Sequence, residues 1–229
     1  MPPSQTEKPV HGYFGWLETT GISVAEHAIA DFTHGLRPEE YRCIGNAVMK
    51  RRLEFSTGRH LARMAMIRLD QVPCQIPVGR DREPRWPAEL AGSITHTDLW
   101  CAVSIALRSE GVASIGIDLE TAEPLPHDLI DVVCTRQERL DLVAAAADAR
   151  GLLAKCLFSA KESVYKAQHP MTGCFLEMHD AEVHLDLARQ QFTATLQRAA
   201  ADFPTGHRFE GQIRLSDGHI ATAVVMRRR

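Results

Sequence analysis

Between residues 38 and 69 the chain has no internal proline, and Val48, Met49, Leu53, Leu61, Ala62, Ala65 and Leu69 recur at roughly helical spacing. The pattern predicts a long helical stretch, with Gly58 as the candidate break between two helices. Residues 73–87 form a proline-studded loop that carries Arg80, Arg82 and Arg85. Segments 102–107 and 112–120 read as strands joined by a turn at 108–111. Residues 136–167, rich in alanine and leucine and free of proline, predict helix. After Pro170 the period changes to two: 182–187 and 191–196 alternate, and Ile213 and Leu215 lead into Asp217-Gly218, a favoured hairpin turn, before 220–225 return. Residues 1–35 are poorly patterned and read as a loose lead-in.

Helix followed by antiparallel strands thus occurs once in each half. This predicts an α+β fold of two subdomains, 1–115 and 116–229, packed together, although no sequence repeat relates them.

Bulk properties narrow the field without naming a function. A hydrophobic content of 45% and a charged content of 24% are ordinary for a soluble globular chain. The net charge of −3 argues against a nucleic-acid binder held by bulk positive charge, yet leaves room for a local basic pocket. Cys43, Cys74, Cys101, Cys134, Cys156 and Cys174 are scattered with no Cys-x-x-Cys pair, and read as reduced thiols of a cytoplasmic protein. The first ten residues are polar and proline-rich, unlike a secretory leader. No apolar run approaches the ~20 residues that span a bilayer, so no membrane partner is expected.

Four segments carry candidate chemistry. In Gly116-Ile117-Asp118-Leu119-Glu120, a strand would turn Ile117 and Leu119 into the core and Asp118 and Glu120 together out of it. Two adjacent carboxylates repel unless a cation or protons relieve them. They are either a solvated strand end or a hard-oxygen site suited to magnesium. In Phe158-Ser159-Ala160-Lys161-Glu162-Ser163-Val164-Tyr165-Lys166, a helix puts Glu162 and Lys166 at i,i+4. This pair is either a surface salt bridge or, if Glu162 faces Asp118 and Glu120, a third metal ligand flanked by lysines that suit phosphate. Arg52, Arg59 and Arg63 fall on one helical stripe, either as a solvated face or as forks for phosphate. Gly92-Ser93-Ile94-Thr95-His96-Thr97 reads as a loop of small hydroxyl residues able to approach a ligand closely, with His96 a donor to phosphate.

Taken together, five motifs resemble the phosphopantetheinyl transferases of the enterobactin-synthase-activating type, which serve siderophore, polyketide and nonribosomal peptide synthesis. They are Phe55-Ser56-Thr57-Gly58-Arg59 with Ala62, then Trp86-Pro87, then Gly92 to His96, Gly116 to Glu120, and Phe158 to Lys166. The resemblance spans roughly residues 45–187. It implies two similar α+β halves related by a pseudo-two-fold axis, with coenzyme A in the cleft between them. It implies magnesium, or manganese, on Asp118, Glu120 and Glu162. Contacts to coenzyme A are implied for Arg51, Arg52, Arg59, Ser93, Thr95, His96, Lys161 and Lys166, with Arg80 and Arg82 both candidates from the loop. Glu138 is expected beside the second lysine, Lys166.

The implied reaction is attack by a serine hydroxyl of an apo acyl or peptidyl carrier protein on the phosphorus that bears pantetheine, releasing 3′,5′-ADP. Glu162 is the expected base, and Lys161 and Lys166 steady the departing phosphate. The partner would be an acidic carrier helix, and the protein a monomer. Two rivals stand beside it: a magnesium-dependent nucleotide pyrophosphatase that would use the same acids with water as nucleophile, and a catalytically silent carrier-protein-binding module. Carboxylate repulsion further suggests that Asp118→Asn stabilises the metal-free fold slightly.

Overall fold

The computed structural model describes residues 12–228, so residues 1–11, which carry the reading against a secretory leader, lie outside it. The fold is α+β, as the pattern predicts, and the two halves carry different sheets. In the first half, β1 (Ile22–Ala28), β2 (Leu90–His96) and β3 (Trp100–Leu107) form an antiparallel sheet of order β1-β3-β2. Helix α1 (Pro38–Ile44) leads into α2 (Met49–Arg68), and α2 packs Leu61, Ala62, Ala65 and Met66 against Ala25, Cys101, Val103 and Ile105 of that sheet.

In the second half, β4 (Val112–Thr121), β5 (Ala181–Asp186), β6 (Gln191–Leu196), β7 (Arg208–Ser216) and β8 (His219–Arg227) form an antiparallel sheet of order β4-β8-β7-β6-β5. Helices α3 (His127–Val133), α4 (Arg136–Ala144) and α5 (Arg150–Thr172) cover it, with α5 lying on β4 and β8. Asp217 (φ 48°) and Gly218 (φ 71°) make the β7–β8 turn that this pair favours.

The two sheets meet where β2 runs beside β4, and side chains make the join. Ile117 N donates to Ser93 Oγ at 3.0 Å, and Leu119 N donates to Thr95 Oγ1 at 3.0 Å. Alternate hydroxyls on β2 therefore satisfy alternate backbone N–H groups on the edge of β4 that does not face β8. On the opposite face the join is covered by residues 13–17. Phe14 is fully buried there among Ile115, Ile117 and Leu119, and Glu26 accepts the Tyr13 and Phe14 backbone N–H groups at 2.8 Å each.

Several expectations are corrected. The lead-in contains a complete strand, β1. The Gly92–Thr97 segment is mostly strand rather than loop, because its hydroxyls serve β4 instead of solvent. Gly58 does not break α2. A Cβ there would lie 3.1 Å from Ile94 Cγ2, so glycine serves close packing of helix on sheet, and the break falls at 45–48 instead. The stretch 136–167 is two helices, parted at 145–149, and α5 carries Pro170 within its last turn.

Candidate active site

The site lies where β4 and α5 face the β2 side of the join. Residues 155, 159, 162 and 166 of α5 are spaced four, three and four apart, so they share one helical face. That face lies over Asp118 and Glu120. Helix and strand come this close because residue 116 is glycine: a Cβ there would sit 2.1 Å from Ser163 O and 2.5 Å from Ala167 N. The sequence expectation had Asp118 pointing out of the core, whereas it is 3% exposed beneath α5.

The contacts across this interface are ionic and polar. Lys166 Nζ donates to Asp118 Oδ1 at 2.6 Å, and Ser159 Oγ donates to Asp118 Oδ2 at 2.9 Å. Lys155 Nζ lies 2.5 Å from Glu120 Oε2. Glu162 is half-buried and makes no hydrogen bond or ion pair among the described residues. Burial pushes its carboxyl above the ordinary range; the Asp118 and Glu120 charges push the same way, and the Lys166 ammonium opposes them. Glu120 is raised likewise, by burial first and then by Asp118, against the pull of Lys155. Burial alone would lower Lys166, but the three carboxylates together hold its ammonium above the usual lysine value.

The first half contributes a basic arc. Arg51 Nη1 lies 3.3 Å from His96 Nε2, and Glu54 Oε2 lies 3.5 Å from that Arg51 nitrogen and 3.7 Å from the imidazole. Glu54 thus holds the two together. Burial lowers the His96 pKa, and Arg51 and Lys166 lower it further against Glu54, so the imidazole feels the Lys166 ammonium across the join. Arg59 is deeper. Its Nε donates to Ile76 O at 2.7 Å and its guanidinium lies 4.1 Å from the Phe55 ring centre, while burial brings its pKa down to about 10.

The other expected residues are placed differently. Arg63 is engaged by Glu40 at 3.0 Å and Gly35 O, and Arg52 reaches Tyr41 Oη at 3.4 Å. Ser93 and Thr95 are buried with their hydroxyls on β4. Arg80 and Arg82 are exposed and make no side-chain hydrogen bond or ion pair among the described residues. Their loop nevertheless crosses to α5, where Asp81 lies 3.6 Å from His169.

Glu138 lies beside Lys161 and not Lys166, which corrects the expected pairing. Lys161 Nζ donates to Glu138 Oε2 (2.7 Å), Val133 O (2.8 Å) and Met178 O (2.7 Å), so all three N–H bonds stay within the protein. Glu138 in turn accepts Thr135 N and Val183 N. This pair ties α3, α4, α5 and β5 together. Lys161→Met is expected to cost about 3–5 kcal/mol, because it strands a buried carboxylate. Thermal unfolding measures it; unchanged stability with weakened substrate binding would mean that Lys161 contacts the ligand instead.

Three partners escaped sequence reasoning: Ser159 on Asp118, Lys155 on Glu120, and Glu54 between Arg51 and His96. The signal for the first two was the helical spacing from Glu162. Glu54 carried no signal. Beside Glu162, a cavity of about 510 Å³ is lined by Val132, Tyr165, Phe175, Leu176 and Met178.

Among the described residues, no three His, Cys, Asp or Glu side chains stand close enough together to hold a metal ion as they are. The donor chemistry still fits one. The set offers three hard carboxylates: Asp118 and Glu120 both push the Glu162 carboxyl up, Glu162 has no hydrogen-bond or ion-pair partner among the described residues, and ammonium groups occupy the other two.

Residues 39–106 match the 4'-phosphopantetheinyl transferase N-terminal domain, and residues 114–224 match the 4'-phosphopantetheinyl transferase superfamily. The chain is 37% identical over 212 residues to 4'-phosphopantetheinyl transferase Svp of Streptomyces mobaraensis, covering 89% of this chain and 85% of the relative. This chain belongs to the 4'-phosphopantetheinyl transferase family. It is 34% identical to 4'-phosphopantetheinyl transferase Npt of Nocardia iowensis, over 73% of this chain and 74% of that one. Enterobactin synthase component D of Escherichia coli (strain K12) is also 34% identical, over 58% of this chain and 62% of that protein. The transferase is therefore of the enterobactin-synthase-activating type. None of its described helices is long and apolar enough to cross a membrane.

Proposed function

We propose that the transferase takes phosphopantetheine from coenzyme A and places it on a serine of an apo acyl or peptidyl carrier protein. The observation that carries this reading is the meeting of the Arg51–His96 arc with Asp118, Glu120, Glu162 and Lys166 at the β2–β4 join. A pyrophosphate needs positive groups along its length, and Arg51 and Lys166 supply them, with His96 beside Arg51 as a hydrogen-bond donor. Arg51, Arg59 and His96 serve the nucleotide phosphates, and Arg80 or Arg82 supplies a further contact from the loop. Asp118, Glu120 and Glu162 would hold a divalent cation, magnesium in the cell, whose charge would supply neutralisation of the pyrophosphate oxygens.

The cavity beside Glu162, about 510 Å³ and lined mainly by apolar side chains, has the volume to take a pantetheine arm. Glu162 accepts the proton of the carrier serine as its oxygen bonds to phosphorus. The bond from that phosphorus to the bridging oxygen then breaks, and the nucleotide leaves as 3′,5′-ADP. Lys166 steadies the charge that grows on the departing phosphate. Ser93, Thr95 and Lys161 support the site through the join and the Glu138 anchor. The protein acts as a cytoplasmic monomer.

The test is mass spectrometry of several apo carrier proteins incubated with the purified transferase, coenzyme A and magnesium. A gain of one phosphopantetheine on serine is expected. No gain on any carrier would overturn the reading, and consumption of coenzyme A without a carrier would point to a pyrophosphatase.

A further inference from the structure

Lys155 has no part in the proposed chemistry, yet it makes the shortest ion pair of the site. Its ammonium lies 2.5 Å from Glu120 Oε2, and the two side chains are only 17% and 25% exposed. The same ammonium sits 5.2 Å from the centre of the Phe158 ring, one turn along α5. Lys166 on the same α5 face is held by Asp118, so each of the two lysines of that face is engaged by one carboxylate of β4, and Lys155 by Glu120.

We propose that Lys155 is an internal counter-ion for Glu120, which a divalent cation must displace in order to bind. The inference rests on the reading of Asp118, Glu120 and Glu162 as the cation's ligands. Its physical basis is competition. A carboxylate oxygen in contact with an ammonium at 2.5 Å cannot also accept a metal ion in the same direction. Two lysines set against three carboxylates leave a residual negative charge that draws a cation in, while the Lys155 contact holds its affinity down. Lys155 thus acts as a positioning residue: it keeps Glu120 folded over α5 until the ion arrives.

The experiment is a manganese titration of the full chain, with free Mn²⁺ followed by electron paramagnetic resonance, for the unaltered protein, Lys155→Met and Lys155→Arg. Lys155→Met keeps the aliphatic stem over Phe158 and removes the charge. Its dissociation constant for Mn²⁺ is expected to fall by about tenfold, and Lys155→Arg should restore the original weaker binding. A role confined to structure would lower stability in Lys155→Met without tightening the ion. Lys155→Gln makes the same measurement if the methionine variant does not fold. Equal or weaker binding in the neutral variants, with the unaltered protein still binding Mn²⁺, overturns the counter-ion role and leaves the carboxylate site standing. No Mn²⁺ binding by any form, with or without coenzyme A, overturns the site reading and this inference with it.

Discussion

Asp118→Asn is expected to lower carrier-protein modification about a thousandfold, the scale of losing a preorganised electrostatic contact and a metal ligand together. Asp118 is the hub of the site. It accepts from Lys166 at 2.6 Å and Ser159 at 2.9 Å, and it lies with Glu120 beneath the α5 face that carries Glu162. An asparagine fills the same space but removes the charge that holds Lys166 in its ionised state and position. The substitution should also destabilise the protein, by about 1–3 kcal/mol, since a largely buried ammonium loses its charged partner. This reverses the expectation from the sequence, where repulsion among the acids suggests that the amide would stabilise. The sequence does not reveal that Lys166 and Lys155 already offset that repulsion. Turnover within tenfold of the unaltered protein would remove Asp118 from the reaction, and a raised thermal midpoint would restore the repulsion argument.

The chemistry of this site was more legible than its architecture. Asp118, Glu120, Glu162 and Lys166 stood out because period two on a strand and period 3.6 on a helix each put a recognisable set on one face. Their mutual approach is not a property of either segment; it depends on α5 lying on β4. The missed strands have a common cause. β2 carries Ser93 and Thr95 at buried positions, where a polar residue ordinarily signals solvent, because its hydroxyls replace a strand ladder at the join. β1 is buried on both faces over Ile22 to Ala25, so it shows no alternation. The Arg52–Arg59–Arg63 stripe was real as a helical face, yet each guanidinium meets a different partner. Tyr41, Ile76 O and Glu40 all lie outside α2, and no local pattern encodes them. The same holds for Glu138, whose choice of Lys161 follows from how α4 packs on α5.

Gly116→Ala should disturb fold and site together, and it tests whether helix–strand contact is what assembles the site. The added methyl would meet Ser163 O at 2.1 Å, Ala167 N at 2.5 Å and Ala167 Cβ at 3.0 Å. The two nearest atoms are backbone in the middle of a helix, so no side-chain rotation relieves the clash. Strand and helix must part. Overpacking of this kind costs about 3 kcal/mol, which corresponds to a fall in thermal midpoint of roughly 6–12 °C for a chain of this size. The functional loss should exceed what unfolding explains. Glu162 and Lys166 are the immediate neighbours of Ser163 and Ala167, so lifting those two residues carries the candidate base and the Asp118 partner away from β4. A displacement near 1 Å in a reacting group is worth about a hundredfold in rate. Gly45→Ala supplies the control, because a Cβ there has nothing within 4 Å and its φ of −51° suits alanine. Measured on folded protein below both midpoints, Gly116→Ala should lose modification activity while Gly45→Ala keeps it. If Gly116→Ala is as stable and as active as Gly45→Ala, the close approach of α5 to β4 is not what holds the carboxylates and lysines together.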